Sequence, residues 1–306
     1  MLVSIVTPTL ALDEVLSEAR ASVKRQYAHV TIEHIIVVDD PDAVLPPDSQ
    51  SGNVFTYFSH NTQKKGPGGA RNTALERVKG DFVFFLDADD IWDDDYLSDV
   101  LPVYAARPDV HCVSVAGLTF GEHVLRPRLN IPLLAEGIIP RSGVAWNPVG
   151  CPSGFSYRLD SKTKALRFKD AIYFQDLIFY LELLSTGAVF WRHSKSYFWY
   201  RKSEGQLTSV VSADKVRMSE RMVHHCLAEW RDMGISPREA RIASIQIRRL
   251  SAARLRRRDH ASTLLLCLLA PNWAFGQVRR LMENARIDRD ATPPGQASCR
   301  SVQIAP

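Results

Sequence analysis

Along the first 116 residues, short apolar runs alternate with stretches whose apolar residues recur every three or four positions. Runs at 2–7, 32–38, 53–58, 81–86 and 110–115 predict strands. Between them, residues 13–26 place Val15, Leu16, Ala19 and Val23 on one helical face, and 69–78 predict a short helix. Strand and helix in alternation predict an α/β fold with a mostly parallel sheet flanked by helices. Periodicity then fails over 117–169, a stretch broken by Pro127, Pro132, Pro140, Pro148 and Pro152, which reads as binding loops. A helix returns at 173–185, then a short strand at 188–190 and an aromatic, basic stretch at 197–202. Beyond 211 the pattern is helical, with Met218, Met222, Cys226, Trp230 and Met233 as one packing stripe. The polar tail after about 287, with Pro293, Pro294 and Gly295, predicts disorder. The expected division is therefore 1–210 and a helical C-terminal region, 211–306.

Composition narrows the picture. With 306 residues, 45% apolar and 24% charged, the chain is of ordinary globular type, and a net charge of +4 argues against nucleic acid as a partner. Five cysteines without a Cys-x-x-Cys pair suit reduced thiols and give no zinc site. The N-terminus enters a strand pattern directly, without a signal-peptide pattern, so the expected location is cytoplasmic, at most peripheral at the inner face of the membrane. Residues 261–278 lack charge but contain Pro271, Asn272 and Gln277 and fall short of a spanning helix. Ahead of them come Arg248, Arg249, Arg254, Arg256, Arg257 and Arg258, which suit either a solvated helix or one lying on anionic lipid.

Three places carry candidate chemistry. The run Phe82 to Leu86 stops at Asp87, Asp89 and Asp90, oxygen donors suited to Mn²⁺ or Mg²⁺; the alternative is a solvated acidic turn capping the next helix. Asp39 and Asp40 likewise follow a buried strand, where Asp40 either meets a nucleoside or caps a turn with Pro41. The loop from Lys64 through Gly66, Gly68 and Gly69 to Arg71 places cations and amides at a helix start, where phosphate binds, but lacks the Walker ending.

The order of these pieces resembles family 2 of the inverting glycosyltransferases. A strand ending Thr7, Pro8, Thr9, the block IIVVDD at 35–40, GPGGARNTAL at 66–75 and GDFVFFLDADDIW at 80–92 follow the family's order, as do FQDLIFYLELLSTG at 174–187 and YRKSEGQLT at 200–208. The resemblance implies a GT-A fold, with a donor half at about 1–116 and an acceptor half at 117–210. It further implies a nucleoside-diphosphate sugar donor, UDP-linked on family grounds, a divalent metal, inversion at the anomeric carbon, and a glycan or lipid-linked acceptor. Carried onto matching positions, Thr9 and Asp40 hold the nucleoside with help from Arg71. Asp87 and Asp89 form the Asp-x-Asp pair facing ribose and metal, Asp90 shares the metal, and Asp176 is the base. The chemistry asks for the same roles: a cation against charge building on the leaving diphosphate, and a carboxylate opposite it to take the acceptor's proton. Arg201 and Lys202 suit a positive flap over the diphosphate, or a solvated turn.

The match departs in places. Pro41 and Asp42 replace a Gly-Ser pair, Gln175 stands where an acidic residue usually precedes the base, and Ser203 stands where a histidine often follows. Losing that acidic neighbour lowers the expected pKa of Asp176 relative to an acidic pair. His193 is nearby but out of register. The processive Gln-x-x-Arg-Trp motif has only a partial echo in Gln246, Arg249 and Leu250, so single-sugar addition is expected. Trp146, Asn147 and residues 151–157 fall where an acceptor pocket forms, Trp146 being equally suited to the core. The alternatives are a non-catalytic sugar-nucleotide or carbohydrate-binding module and a sugar nucleotidyltransferase.

Overall fold

The computed structural model describes residues 1–295 apart from 27–28, 122–123, 125–126, 130–134, 146–148, 204–211, 232–233, 256, 258 and 288–290, and it describes only the backbone of 195–197. In chain order it contains β1 (Leu2–Thr9), α1 (Glu14–Lys24), β2 (Thr31–Val38), β3 (Ser49–Ser51), β4 (Val54–His60), α2 (Pro67–Leu75), β5 (Phe82–Phe85), β6 (Ile91–Trp92) and α3 (Tyr96–Ala106). There follow β7 (Cys112–Phe120), β8 (Gly137–Ile139), α4 (Arg141–Val144), a 3₁₀ turn (Pro152–Gly154), β9 (Phe155–Arg158), α5 (Gln175–Ser185) and β10 (Phe190–Arg201). The C-terminal helices are α6 (Ala213–Glu229), α7 (Pro237–Arg254), α8 (His260–Leu269) and α9 (Pro271–Arg286).

One sheet runs β3-β4-β2-β1-β5-β9-β7-β10-β6, with β8 also on β10. The pairs β4–β2, β2–β1, β1–β5 and β7–β10 are parallel. Strands β1, β2 and β5 are buried on both faces, as suits their Val-, Ile- and Phe-rich runs. Their register sets Thr9 level with Val38 and Val6 level with Phe85, so the residues after all three strands emerge on one edge.

The expected mostly parallel α/β sheet is present, with additions. Strand β9 enters antiparallel between β5 and β7 from within the stretch read as loops. Four residues behind a Pro-Ser-Gly turn are too few to show a period. The segments expected at 188–190 and 197–202 belong to one long strand, β10, whose register slips between Arg192 and Tyr197.

Side chains cap the starts of α1 and α7: Asp13 accepts from the Leu16 amide, and Ser236 and Glu239 form a reciprocal capping box. The C-terminal helices share a core with the sheet domain, Val216, Val223 and Ile242 joining Leu177 and Leu181 in one cluster. Arg141 ties the two regions, donating to Glu239 and to the Leu184 and Gly234 carbonyls. Of the expected packing stripe, Cys226 and Trp230 are buried, whereas Met218 faces solvent. Met233, Trp146, Asn147, Arg256, Arg258 and residues 204–208 lie outside the described residues, as do 288–290 and 296–306 of the tail. Ile287 and Ala291 pack against the cluster of Ile91, Leu118 and Trp199, and Arg25 donates to the Pro294 carbonyl.

Candidate active site

At the common edge of β1, β2 and β5, the Asp39 amide donates to the Thr9 carbonyl (2.8 Å). The Thr9 hydroxyl is turned inward to the Ala11 carbonyl (2.7 Å). The two aspartates after β2 divide their work. Asp39 is buried and accepts from Asn61 Nδ2 (2.6 Å) and the Gly66 amide (2.7 Å), fixing the glycine-rich loop. Asp40 is exposed, with one oxygen accepting from the Asp42 amide (3.1 Å).

That loop leads into α2 with Pro67 in its first turn. A Cβ on Gly69 would lie 1.8 Å from the Lys64 carbonyl oxygen, so no other residue fits. A Cβ on Gly68 would lie 2.8 Å from Gln175 Oε1, which shows how closely α2 approaches the start of α5. Between them opens a cleft of about 190 Å³ lined by Lys64, Lys65, Asn72, Asp170 and Gln175 among others. From α2, Arg71 runs inward beneath the Phe168 ring, 5.2 Å from its centroid, and donates to Asp87. Burial works against its charge, but the Asp87 carboxylate, with Asp176 adding to it, outweighs burial and raises the Arg71 pKa.

Beyond β5 the acidic loop is pinned from below. The Ser153 hydroxyl accepts from the Asp87 amide (3.0 Å) and donates to Asp90 Oδ2 (2.5 Å), while Asp90 Oδ1 accepts from the Arg201 amide (3.1 Å). Burial, then the charges of Asp89 and Asp87, push the Asp90 carboxyl well above the usual carboxylate range. Arg201 donates from Nε to the Asp89 carbonyl (2.9 Å), pairs with Glu18 and lies 4.5 Å from the Phe120 centroid. It therefore braces the acidic loop, and the flap expected of it is not what the structure shows, because its donors are spent inside the fold. Lys202 is exposed, with Nζ 4.5 Å from the Tyr200 centroid, and its pKa is lowered by burial of its surroundings, against the pull of Asp90 and Asp89.

Among the described residues no three His, Cys, Asp or Glu side chains gather as a metal cage. The three-carboxylate shell expected from the sequence is not formed, because Asp90 is turned inward to Ser153 and the Arg201 amide. Asp87 and Asp89, both half-buried at the strand end, still fit a hard ion that takes one or two carboxylates and completes its shell with phosphate and water. His193 is 3.9 Å from both Asp99 and Glu136, away from any such set.

Asp176 stands in the first turn of α5, just after Phe174, the one described non-glycine residue with left-handed backbone (φ 65°). Its Oδ1 accepts from the Leu177 amide (2.9 Å). Burial raises its pKa, and the Leu177 hydrogen bond, Arg71 and Arg254 pull it back. Arg71, bonded to Asp87, also feels Asp176, and the Cys151 thiol is pushed up by burial and then by Asp90, Asp87 and Asp176. The candidate base and the acidic loop thus lie within electrostatic reach of the same two groups, Arg71 and Cys151.

Two contributors were not legible beforehand. Ser153, inside the stretch read as an acceptor pocket, is the buried post under the acidic loop. Arg254, at the end of α7, stacks over Tyr173 (4.7 Å) and Phe174 (5.5 Å) beside Asp176; in the sequence it was one of a run of surface arginines. Only the Pro-Ser-Gly turn after Cys151 offered a signal for the first, and nothing separated the second from its neighbours.

The family model for "Glycosyl transferase family 2" matches residues 4–163, just over half of the chain. Among curated proteins, the succinoglycan biosynthesis protein ExoW of Rhizobium meliloti is 40% identical over 91 residues, 27% of each protein. The UDP-Glc:alpha-D-GlcNAc-diphosphoundecaprenol beta-1,3-glucosyltransferase WfgD of Escherichia coli is 36% identical over 98 residues, 30% of this chain. The matched stretch spans 27% and 36% of those two relatives' own length. Among solved structures, Staphylococcus aureus TarS 1–349 in complex with UDP-GlcNAc superposes with a TM-score of 0.56 at 15% identity, covering 96% of this chain and 98% of that one. The mannosyltransferase PcManGT from Pyrobaculum calidifontis, in complex with GDP-Man and Mn2+, gives 0.53 at 18% identity, covering 93% of this chain and 86% of that one. These likenesses show a shared fold.

Proposed function

Since the chain belongs to glycosyl transferase family 2 and has the GT-A fold, we propose that it transfers one sugar from a UDP-sugar to a hydroxyl of a glycan or lipid-linked acceptor, with inversion. The observation that carries this reading is the link through Arg71, which is bonded to Asp87 and lies within electrostatic reach of Asp176. UDP is favoured because WfgD is named for UDP-Glc and TarS is in complex with UDP-GlcNAc, and the acceptor class follows WfgD's diphosphoundecaprenol.

In this reading Asp40, exposed beyond β2, and Thr9 beside it border the nucleoside. Asp87 and Asp89 would hold a divalent ion, Mn²⁺ being the ion with PcManGT. When bound, such an ion offsets the charge that builds on the departing diphosphate. Lys202, exposed near Asp89 and Asp90, adds a positive charge at the same place. Asp90 and Ser153 keep the loop in shape without touching the substrate.

Across the cleft Asp176 accepts the proton of the incoming hydroxyl. The hydroxyl oxygen forms its bond to the anomeric carbon as the bond to the diphosphate breaks, and the electron pair leaves with UDP. Attack opposite the leaving group inverts the carbon. Burial that raises the Asp176 pKa makes it a stronger base than an exposed aspartate, while Arg71 and Arg254 oppose that rise.

A thermal-shift series with UDP-glucose, UDP-GlcNAc and GDP-mannose, each with and without Mn²⁺, tests the donor and metal assignments. A UDP-sugar that raises the melting temperature more with Mn²⁺ supports them. No stabilisation by any UDP compound, or a response to GDP-mannose alone, overturns the donor assignment.

A further inference from the structure

The C-terminal helix α9 carries its apolar residues on the wrong side for a soluble helix. Trp273 and Gly276 face the protein, Trp273 within the same core cluster as α5, and Asn284 accepts from the Leu129 amide. The opposite arc exposes Phe275 (74%), Val278 (56%), Leu281 (65%) and Met282 (57%), spaced three and four apart. On α8 the same inversion leaves Leu264 and Leu268 exposed while Leu266 is buried. An exposed apolar stripe of this extent marks an interaction surface.

Charge selects the occupant. Residues 237–286 contain eleven arginines, no lysine and three acidic residues. Arg279 and Arg286 border the exposed stripe of α9, and Arg257 precedes α8. Apolar side chains rimmed by arginine complement the acyl region and headgroups of an anionic bilayer. Among the described residues no single helix is long and apolar enough to cross a membrane; α8 and α9 reach that length only together, bent by 106°. With Leu266 and Trp273 held in the protein core, the pair suits lying along a surface.

We propose that α9, with α8, seats the protein on an anionic lipid bilayer. Phe275, Val278, Leu281 and Met282 enter the acyl boundary, and Arg279 and Arg286 meet lipid phosphates. Arg254, which stacks over Tyr173 beside the start of the Asp176 helix, is six residues ahead of the start of α8. This extends the lipid-linked acceptor reading, but its test needs no sugar nucleotide, so the two can fail separately.

The test is co-sedimentation of the full chain with vesicles of phosphatidylglycerol and phosphatidylcholine, against phosphatidylcholine alone. Binding is expected to the anionic vesicles, falling at least about ten-fold in the double variant Phe275→Ser with Met282→Ser. The pair Arg279→Gln with Arg286→Gln should weaken binding most at low salt. Circular dichroism melting checks that each variant folds. Equal binding to both vesicle types, no binding, or binding that both double variants retain overturns the proposal. So does sedimentation velocity showing a dimer that the Phe275, Met282 variant dissociates while wild type ignores vesicles, which would assign the stripe to a second copy of the chain.

Discussion

Arg71 and Asp176, contributed by α2 and α5, lie close enough that each shifts the other's titration: the carboxylate raises the guanidinium's pKa, and the guanidinium lowers that of the carboxyl. Since Arg71 is also bonded to Asp87, it is the physical link between the acidic loop at the sheet edge and the proposed base. Both proposed halves of the reaction therefore depend on one buried cation.

Replacing Arg71 with Met should hurt stability and donor binding together. The variant leaves Asp87 facing a buried apolar side chain, and breaking a fully buried pair costs roughly 3–5 kcal/mol. With the Asp87 side chain 24% exposed, the loss should be smaller, roughly 2–3 kcal/mol. Urea unfolding measures it, and a loss under roughly 0.5 kcal/mol would mean that the pair contributes little.

Ser153→Ala removes a donor from buried Asp90 and an acceptor from the Asp87 amide. A buried polar group left unpaired costs roughly 1–3 kcal/mol, so a lower melting temperature and a weaker response to Mn²⁺ are expected. Unchanged metal response would show that the post does not shape the acidic loop.

Arg254→Gln isolates the electrostatic role of α7. Arg254 lowers the Asp176 pKa, so its removal should move the acid limb of the kcat profile to higher pH while leaving the alkaline side in place. A limb that stays put assigns Arg254 to packing over Tyr173 alone.

His34, buried on β2 and bonded to Thr7 Oγ1 (2.9 Å), has its pKa lowered to about 3 by burial and then by Arg20 and Lys24. Below its ordinary value near 6.5 the unfolded chain takes up a proton that the folded chain refuses. Stability is therefore fully present above pH 6.5 and lost as pH falls towards 3, by at most about 1.4 kcal/mol per pH unit from this group. His34→Gln should flatten the acid side of a stability-against-pH curve; an unchanged slope would show that other groups set it.

The donor half of the fold was legible because its strands are buried on both faces and read as short Val-, Ile- and Phe-rich runs, two of them followed by carboxylates on one edge. Strand β9 was not, since a four-residue strand carries no measurable period. Sequence order could place Asp87 and Arg71 near a common ligand, but not tell that Asp39 and Asp90 are consumed by the fold while Asp40 is exposed. That division depends on partners distant in sequence, Asn61 and Gly66 for Asp39 and Ser153 for Asp90. The same holds for Arg201, whose free charge in the sequence is spent on Glu18 and the Asp89 carbonyl. The direction in which the apolar residues of α8 and α9 point was open in the sequence for a related reason: periodicity identifies an apolar face without telling which way it faces.

UDP release from a UDP-sugar with Mn²⁺, measured in parallel with UDP-sugar affinity for wild type and Asp176→Asn, bears most directly on the assignment of base and donor site. The asparagine variant should bind the donor as wild type does and release UDP at least about 100-fold more slowly. Equal release by the two proteins, or binding without release by either, would contradict it.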